Sequence, residues 1–64
     1  MRLRRLRRES ALSLRELGAR SGVAFDTISK LETGKRSAQP RTIRRLAEAL
    51  GVEPKELIKG ENHG

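Results

Sequence analysis

Phe25, Asp26, Ser29 and Lys30 sit close enough in the chain to share one exposed side of a short helix. Lys30 can donate to guanine O6 and N7, Asp26 can accept from cytosine N4, and Phe25 can lie against a thymine methyl. A second set suits phosphate oxygens: Arg7, Ser13, Thr27, Lys35, Arg36 and Arg41 carry guanidinium, ammonium or hydroxyl donors. They gather around the ends of three predicted helices, where unpaired backbone N–H groups also favour anions. Several have a plainer use. Asp26 and Lys30 are four residues apart, the spacing of an intrahelical ion pair. Phe25, the single aromatic, can cover the edge of a core, and Ser13 can act as a helix cap. Arg44 and Arg45 read as solvated surface.

Two elements must position these groups. Ser13 followed by Glu16 is a capping box, in which each side chain bonds a backbone N–H at a helix start. Leu14, Leu17, Gly18 and Ser21 then mark an apolar or small face at i, i+3, i+4 and i+7. Ser21-Gly22 ends that helix, since glycine takes a positive φ without strain. The next helix is predicted from Ala24 to Thr33, closing at Gly34. At about 100° per residue, Ala24, Ile28 and Leu31 form its buried stripe. Asp26, Ser29, Lys30 and Thr33 point the other way, with Phe25 on the flank. Two helices joined by a glycine-containing turn make a helix-turn-helix, whose second helix fits a DNA major groove.

The remaining chain supplies a scaffold. Residues 2–10 form a first helix with a narrow Leu3/Leu6 stripe among five arginines. Two leucines bury too little area to hold it on a membrane surface. Ala11-Leu12 connects to the second helix, and KRSAQP, residues 35–40, is a polar loop. Pro40 suits a first helical position. Ile43, Leu46, Ala47 and Leu50 keep helical spacing up to a Gly51 cap. Pro54 begins a last short helix that Gly60 ends, with Val52 and Leu57 closing the core. The fold class is all-α, a bundle of five short helices with the helix-turn-helix formed by helices two and three. One domain covers residues 1–60, and residues 61–64 form a disordered tail.

At these residues the chain resembles the lambda-repressor-like, or Cro-type (Xre), DNA-binding domain. The resemblance rests on Leu12-Ser13, Glu16-Leu17, Ser21-Gly22-Val23, Thr27-Ile28-Ser29, Leu31-Glu32 and Gly34-Lys35. It continues through Leu46-Ala47 and Ala49-Leu50-Gly51-Val52, covering about residues 2–58. It implies that Arg7 pairs with Glu32 at the end of the recognition helix and reaches a phosphate. An exposed pair of that kind contributes about 0–1 kcal/mol, so its expected role is to position Arg7. The resemblance also implies a phosphate at the backbone near Gln39–Arg41. It implies a homodimer whose interface lies near the 35–40 loop and the last helix, with Ile58 as apolar anchor. Leu14, Phe25 and Asp26 stand where the family commonly has glutamine, and Ala24 lacks the usual Ser/Thr cap.

Composition limits the alternatives. The 64 residues carry a net charge of +7; residues 1–45 hold 13 Lys/Arg against 4 acids, residues 46–64 only 2 against 4. A basic body with a mildly acidic end suits one surface that meets a polyanion. There is no cysteine, and the single His63 lies in the tail, so no metal site or disulfide is expected. No apolar run approaches the roughly 20 residues of a membrane span. No catalytic constellation and no cofactor site is present in the sequence. The reading is a non-enzymatic, cytoplasmic, nucleoid-associated regulator of transcription, a homodimeric repressor bound to double-stranded DNA. The other class open to these residues is a protein-interaction module that reuses the fold, as antitoxins and coactivator-type adaptors do, with Phe25 and Ile58 facing a protein partner.

Overall fold

The computed structural model describes residues 1–59; the expectations for Gly60, His63 and the 61–64 tail fall outside them. The described residues form five α-helices and no strand: α1 Leu3–Glu9, α2 Leu14–Ser21, α3 Phe25–Glu32, α4 Pro40–Leu50 and α5 Pro54–Ile58. Each boundary has a local cause. At α2, the Glu16 N–H donates to Ser13 Oγ at 3.0 Å while the Ser13 N–H donates to Glu16 Oε1 at 2.8 Å. Both α4 and α5 begin on proline, which gives up no helical hydrogen bond there.

Two expectations need correction at α3. The helix spans Phe25–Glu32 rather than 24–33, and Ala24 is its exposed, extended N-cap with no side-chain cap bond. The buried stripe is therefore Ile28 and Leu31, without Ala24. Thr33, just past the end, turns its hydroxyl back to donate to the Ser29 and Lys30 carbonyls at 3.1 and 3.2 Å. The first helix is likewise shorter by one residue at each end than the predicted 2–10.

The exits from α1, α3 and α4 share one geometry. Paired backbone bonds, such as Leu12 N–H to Arg7 O and Ala11 N–H to Arg8 O, close each helix around a residue in the left-handed region. After α3 and α4 that residue is Gly34 or Gly51; after α1 it is Ala11, at φ 56°. Alanine there carries a Cβ that left-handed backbone disfavours.

Leu3, Leu12, Leu17, Ile28, Leu31, Leu46, Ala47 and Leu57 form one buried core, with every helix contributing. Fully burying a leucine or isoleucine is worth roughly 1.5–3 kcal/mol, so these few side chains dominate the stability of so small a domain. The α2 helix packs on both α3 and α4, α4 on α5, and α1 on α3 and α5. The Arg2 N–H donates to Leu57 O at 2.8 Å and the Arg2 guanidinium meets Glu56 at 3.4 Å, fastening the start of α1 to α5. Val52 packs against the core, whereas Ile58 protrudes, 42% exposed. No helix among the described residues is long and apolar enough to cross a membrane.

Candidate nucleic-acid interface

The spacing of α2 and α3 depends on Gly18. A Cβ at that position would stand 2.9 Å from the Val23 carbonyl oxygen and 3.4 Å from the Phe25 nitrogen, both backbone atoms. With hydrogen in place of that carbon, the first turn of α3 lies directly on α2. Burial of Ile28 and Leu31 then fixes the rotation of α3, leaving Phe25, Asp26 and Lys30 exposed and Ser29 half-buried.

Along this row the charged groups meet each other. Lys30 Nζ lies 3.4 Å from Asp26 Oδ2, the four-residue pairing that the spacing allowed. Phe25 does not cover the core edge. It is 45% exposed, and the Arg15 guanidinium stands 4.8 Å from its ring centroid. A cation over an aromatic face is an attractive arrangement worth about 0.5–1 kcal/mol at exposed sites. Sequence reasoning missed Arg15, because its partner is brought near by the turn and not by helical spacing.

Arg7 and Glu32 tie α1 to the end of α3, and the pair is not at the surface as expected. Arg7 Nε donates to Glu32 Oε2 at 2.6 Å and Nη2 to Oε1 at 3.1 Å, a bidentate clamp. Nη1 donates to the Leu12 carbonyl at 2.9 Å. Only 12% of the Arg7 side chain and 3% of the Glu32 side chain remain accessible. Hydrogen bonding to Glu32 raises the Arg7 pKa above the usual arginine range, against a smaller opposing effect of burial. Arg4 adds a second cation, its Nε 3.4 Å from Glu32 Oε1. The guanidinium of Arg7 thus spends three of its five donors within the protein and serves first to hold α3 in place.

The other phosphate candidates fall into three places. Ser13 is exposed at the start of α2, where its oxygen accepts from the Glu16 N–H. In return the Ser13 N–H, then its hydroxyl, hold the Glu16 carboxyl below the usual glutamate range. Thr27 and Arg36 line one small cleft with Ser37, Gln39 and Thr42, beside the start of α4. Lys35 and Arg41 are exposed on either side of that loop. Arg44 and Arg45 are exposed as expected, and Arg45 reaches over the α2–α3 turn, its Nη1 3.9 Å from where a Gly22 Cβ would be.

A helix-turn-helix domain family matches residues 1–58. The chain is 42% identical over 62 residues to the uncharacterized HTH-type transcriptional regulator RghRB of Bacillus subtilis, covering 95% of this chain and 45% of that protein. It is 46% identical over 54 residues to the uncharacterized HTH-type transcriptional regulator y4dJ of Sinorhizobium fredii, covering 84% of this chain and 70% of that protein. It is also 46% identical over 57 residues to the HTH-type transcriptional repressor RghR of Bacillus subtilis, covering 88% of this chain and 42% of that protein. The chain therefore spans less than half the length of the two Bacillus relatives. No solved structure matches it. A closely packed α2–α3 pair, fixed by Gly18 and by the Arg7–Glu32 clamp, and these matches across nearly all of its length place this chain in the helix-turn-helix domain family.

Proposed function

We propose that this chain binds double-stranded DNA as a sequence-specific transcriptional regulator of the repressor type, with α3 in the major groove. The observation that carries the reading is the two-sided character of α3: Ile28 and Leu31 are buried, while Phe25, Asp26 and Lys30 face outward within a frame of exposed cations. Phe25, Asp26, Ser29 and Lys30 are the base-contacting set. Ser13, Thr27, Lys35, Arg36 and Arg41 contact phosphates, and Arg7 adds to them through its remaining N–H groups. A domain of this size buries roughly 600–1,000 Å² on DNA, too little for a tight specific complex by itself. The protein acts as a homodimer, with the exposed Ile58 at the dimer face and half-sites about 34 Å apart. That RghR carries the name of a repressor supports the direction of regulation.

The test compares Lys30→Ala with Arg41→Ala on duplexes selected from a random pool. Lys30→Ala should relax preference at one base position at a cost of about 1–3 kcal/mol for the preferred base; Arg41→Ala should weaken all duplexes alike and lower the salt slope by about 1. If both variants lose affinity uniformly, α3 does not read bases. A protein-interaction role is the second reading, favoured by the exposure of both Phe25 and Ile58. Under it, Phe25→Ser would abolish capture of a protein partner and leave duplex affinity unchanged.

A further inference from the structure

Resting on the reading of α3 as a major-groove helix, we propose that Arg15 and Phe25 form one DNA-contacting unit, with Arg15 on a backbone phosphate and Phe25 against a thymine methyl. Three observations converge on it. Arg15 lies in the first turn of α2 and Phe25 in the first turn of α3, and the close approach at Gly18 brings these turns together. The Arg15 guanidinium covers one face of the ring at 4.8 Å, yet Phe25 remains 45% exposed. Asp26 and Lys30, the charged members of the row, are paired at 3.4 Å.

The chemistry follows from these placements. A guanidinium lying over a ring keeps its edge N–H groups free, and among the described residues no acid is paired with Arg15. Its charge therefore has one strong partner available at a DNA surface, a phosphate oxygen. Binding there fixes the guanidinium, which in turn fixes the ring that it covers. The open part of the ring is apolar and can meet only an apolar group in the groove, and the thymine methyl is the one such group that the major groove displays. Asp26 and Lys30 must break their mutual pair before reading bases, whereas Phe25 has no polar partner to release. Discrimination by this unit is thus apolar and aimed at thymine.

The experiment uses the full chain and the duplex that it selects from a random pool, with each thymine replaced in turn by deoxyuridine. Loss of one buried methyl should weaken wild-type binding about fourfold at one thymine per half-site. Arg15→Met, which keeps the aliphatic stem, should lower the salt slope by about 1 and shrink that uracil penalty. Arg15→Lys should keep the slope and lose part of the penalty, since an ammonium keeps the charge and loses the flat guanidinium that covers the ring. An unchanged slope in Arg15→Met, an unchanged uracil penalty, or a selected site with no methyl-dependent thymine each overturns the proposal. If the wild-type chain selects no duplex at all, the DNA-binding reading itself falls, and this one with it.

Discussion

Replacing Glu32 by glutamine should separate a buried clamp from a decorative surface pair. The change keeps the shape of the side chain and removes its charge. Glu32 is 3% accessible and Arg7 12%, and the two share bonds of 2.6 and 3.1 Å. A glutamine oxygen can accept one of those bonds; its NH₂ group then faces the guanidinium, donor to donor. Breaking a fully buried pair costs about 3–5 kcal/mol, and the residual access of Arg7 lowers the expectation to roughly 2–4 kcal/mol. A domain of this length holds roughly 3–10 kcal/mol in total, so the variant should lie near the edge of folding. Thermal unfolding followed by far-ultraviolet circular dichroism should show a Tm lower by at least roughly 10 °C.

Arg7→Met, Glu32→Leu and the double variant carrying both form a mutant cycle around the clamp. Methionine and leucine fill similar space and leave no uncompensated charge, so the double variant should recover much of the stability lost in either single one. The pH dependence has a defined sign as well. Arg7 is raised above its usual range, so its contribution is fully present below the unfolded value and fades only as pH rises past that range. The Arg7 contribution should therefore be constant across all ordinary assay conditions. A Glu32→Gln cost below about 0.5 kcal/mol, the level of an exposed pair, would refute the burial argument.

Further outcomes follow from single positions. Ala11→Gly should raise stability by roughly 0.5–1 kcal/mol in urea unfolding, because the relief of a left-handed alanine exceeds the entropy that glycine adds to the unfolded chain. Gly18→Ala should do the reverse of what helix propensity suggests. Alanine gains about 1 kcal/mol in a helix interior, but a contact of 2.9 Å to a backbone oxygen forces α2 and α3 apart at about 1–3 kcal/mol. Net destabilisation with weakened duplex binding is expected; a stabilised variant would show that the helices separate freely. Ser13→Ala should cost about 1 kcal/mol of helix stability by removing the cap. Because the Glu16 carboxyl is held low, the box contributes fully above the usual glutamate range and is lost as pH falls through the folded value. Acid titration of unfolding should show that loss in the wild type and a smaller one in Ser13→Ala.

Much of this fold was legible because its signals are local. The Ser13–Glu16 box, the glycines at 22, 34 and 51 and the prolines at 40 and 54 act within a few residues of themselves, and each stands where its type predicted. Two of the misses came where the deciding partner is distant in sequence. Glu32 lies 25 residues from Arg7, and nothing in either neighbourhood says that α1 and α3 will enclose them. Arg15 and Phe25 meet only because Gly18 admits α3, a fact about backbone distance. Ala24 has the right phase for the buried stripe and, without a hydroxyl or amide, gives no cap signal, yet it sits at the helix start as an exposed cap. Ala11 gave no signal at all, since a left-handed alanine is legible only in the backbone.

The charge balance of α3 bears on how such a domain divides its work. The helix carries Asp26, Lys30 and Glu32, a net of −1 on the element that is proposed to enter a polyanion's groove. Glu32 is neutralised by Arg7 and Arg4, and Asp26 by Lys30, so the exposed face of α3 is close to electrically neutral. The cations that can attract phosphate lie around it, in the first turn of α2, in the loop after α3 and at the start of α4. Counterion release by that frame would supply affinity for any duplex, and α3 would add only the difference between one sequence and another. Weak intrinsic discrimination is tolerable in such an arrangement if two copies read two half-sites, because each then multiplies the selectivity of the other. On this argument, salt dependence belongs to the frame and base preference to α3. Substitutions confined to the loop after α3 and the start of α4 should move affinity without changing which sequence is selected.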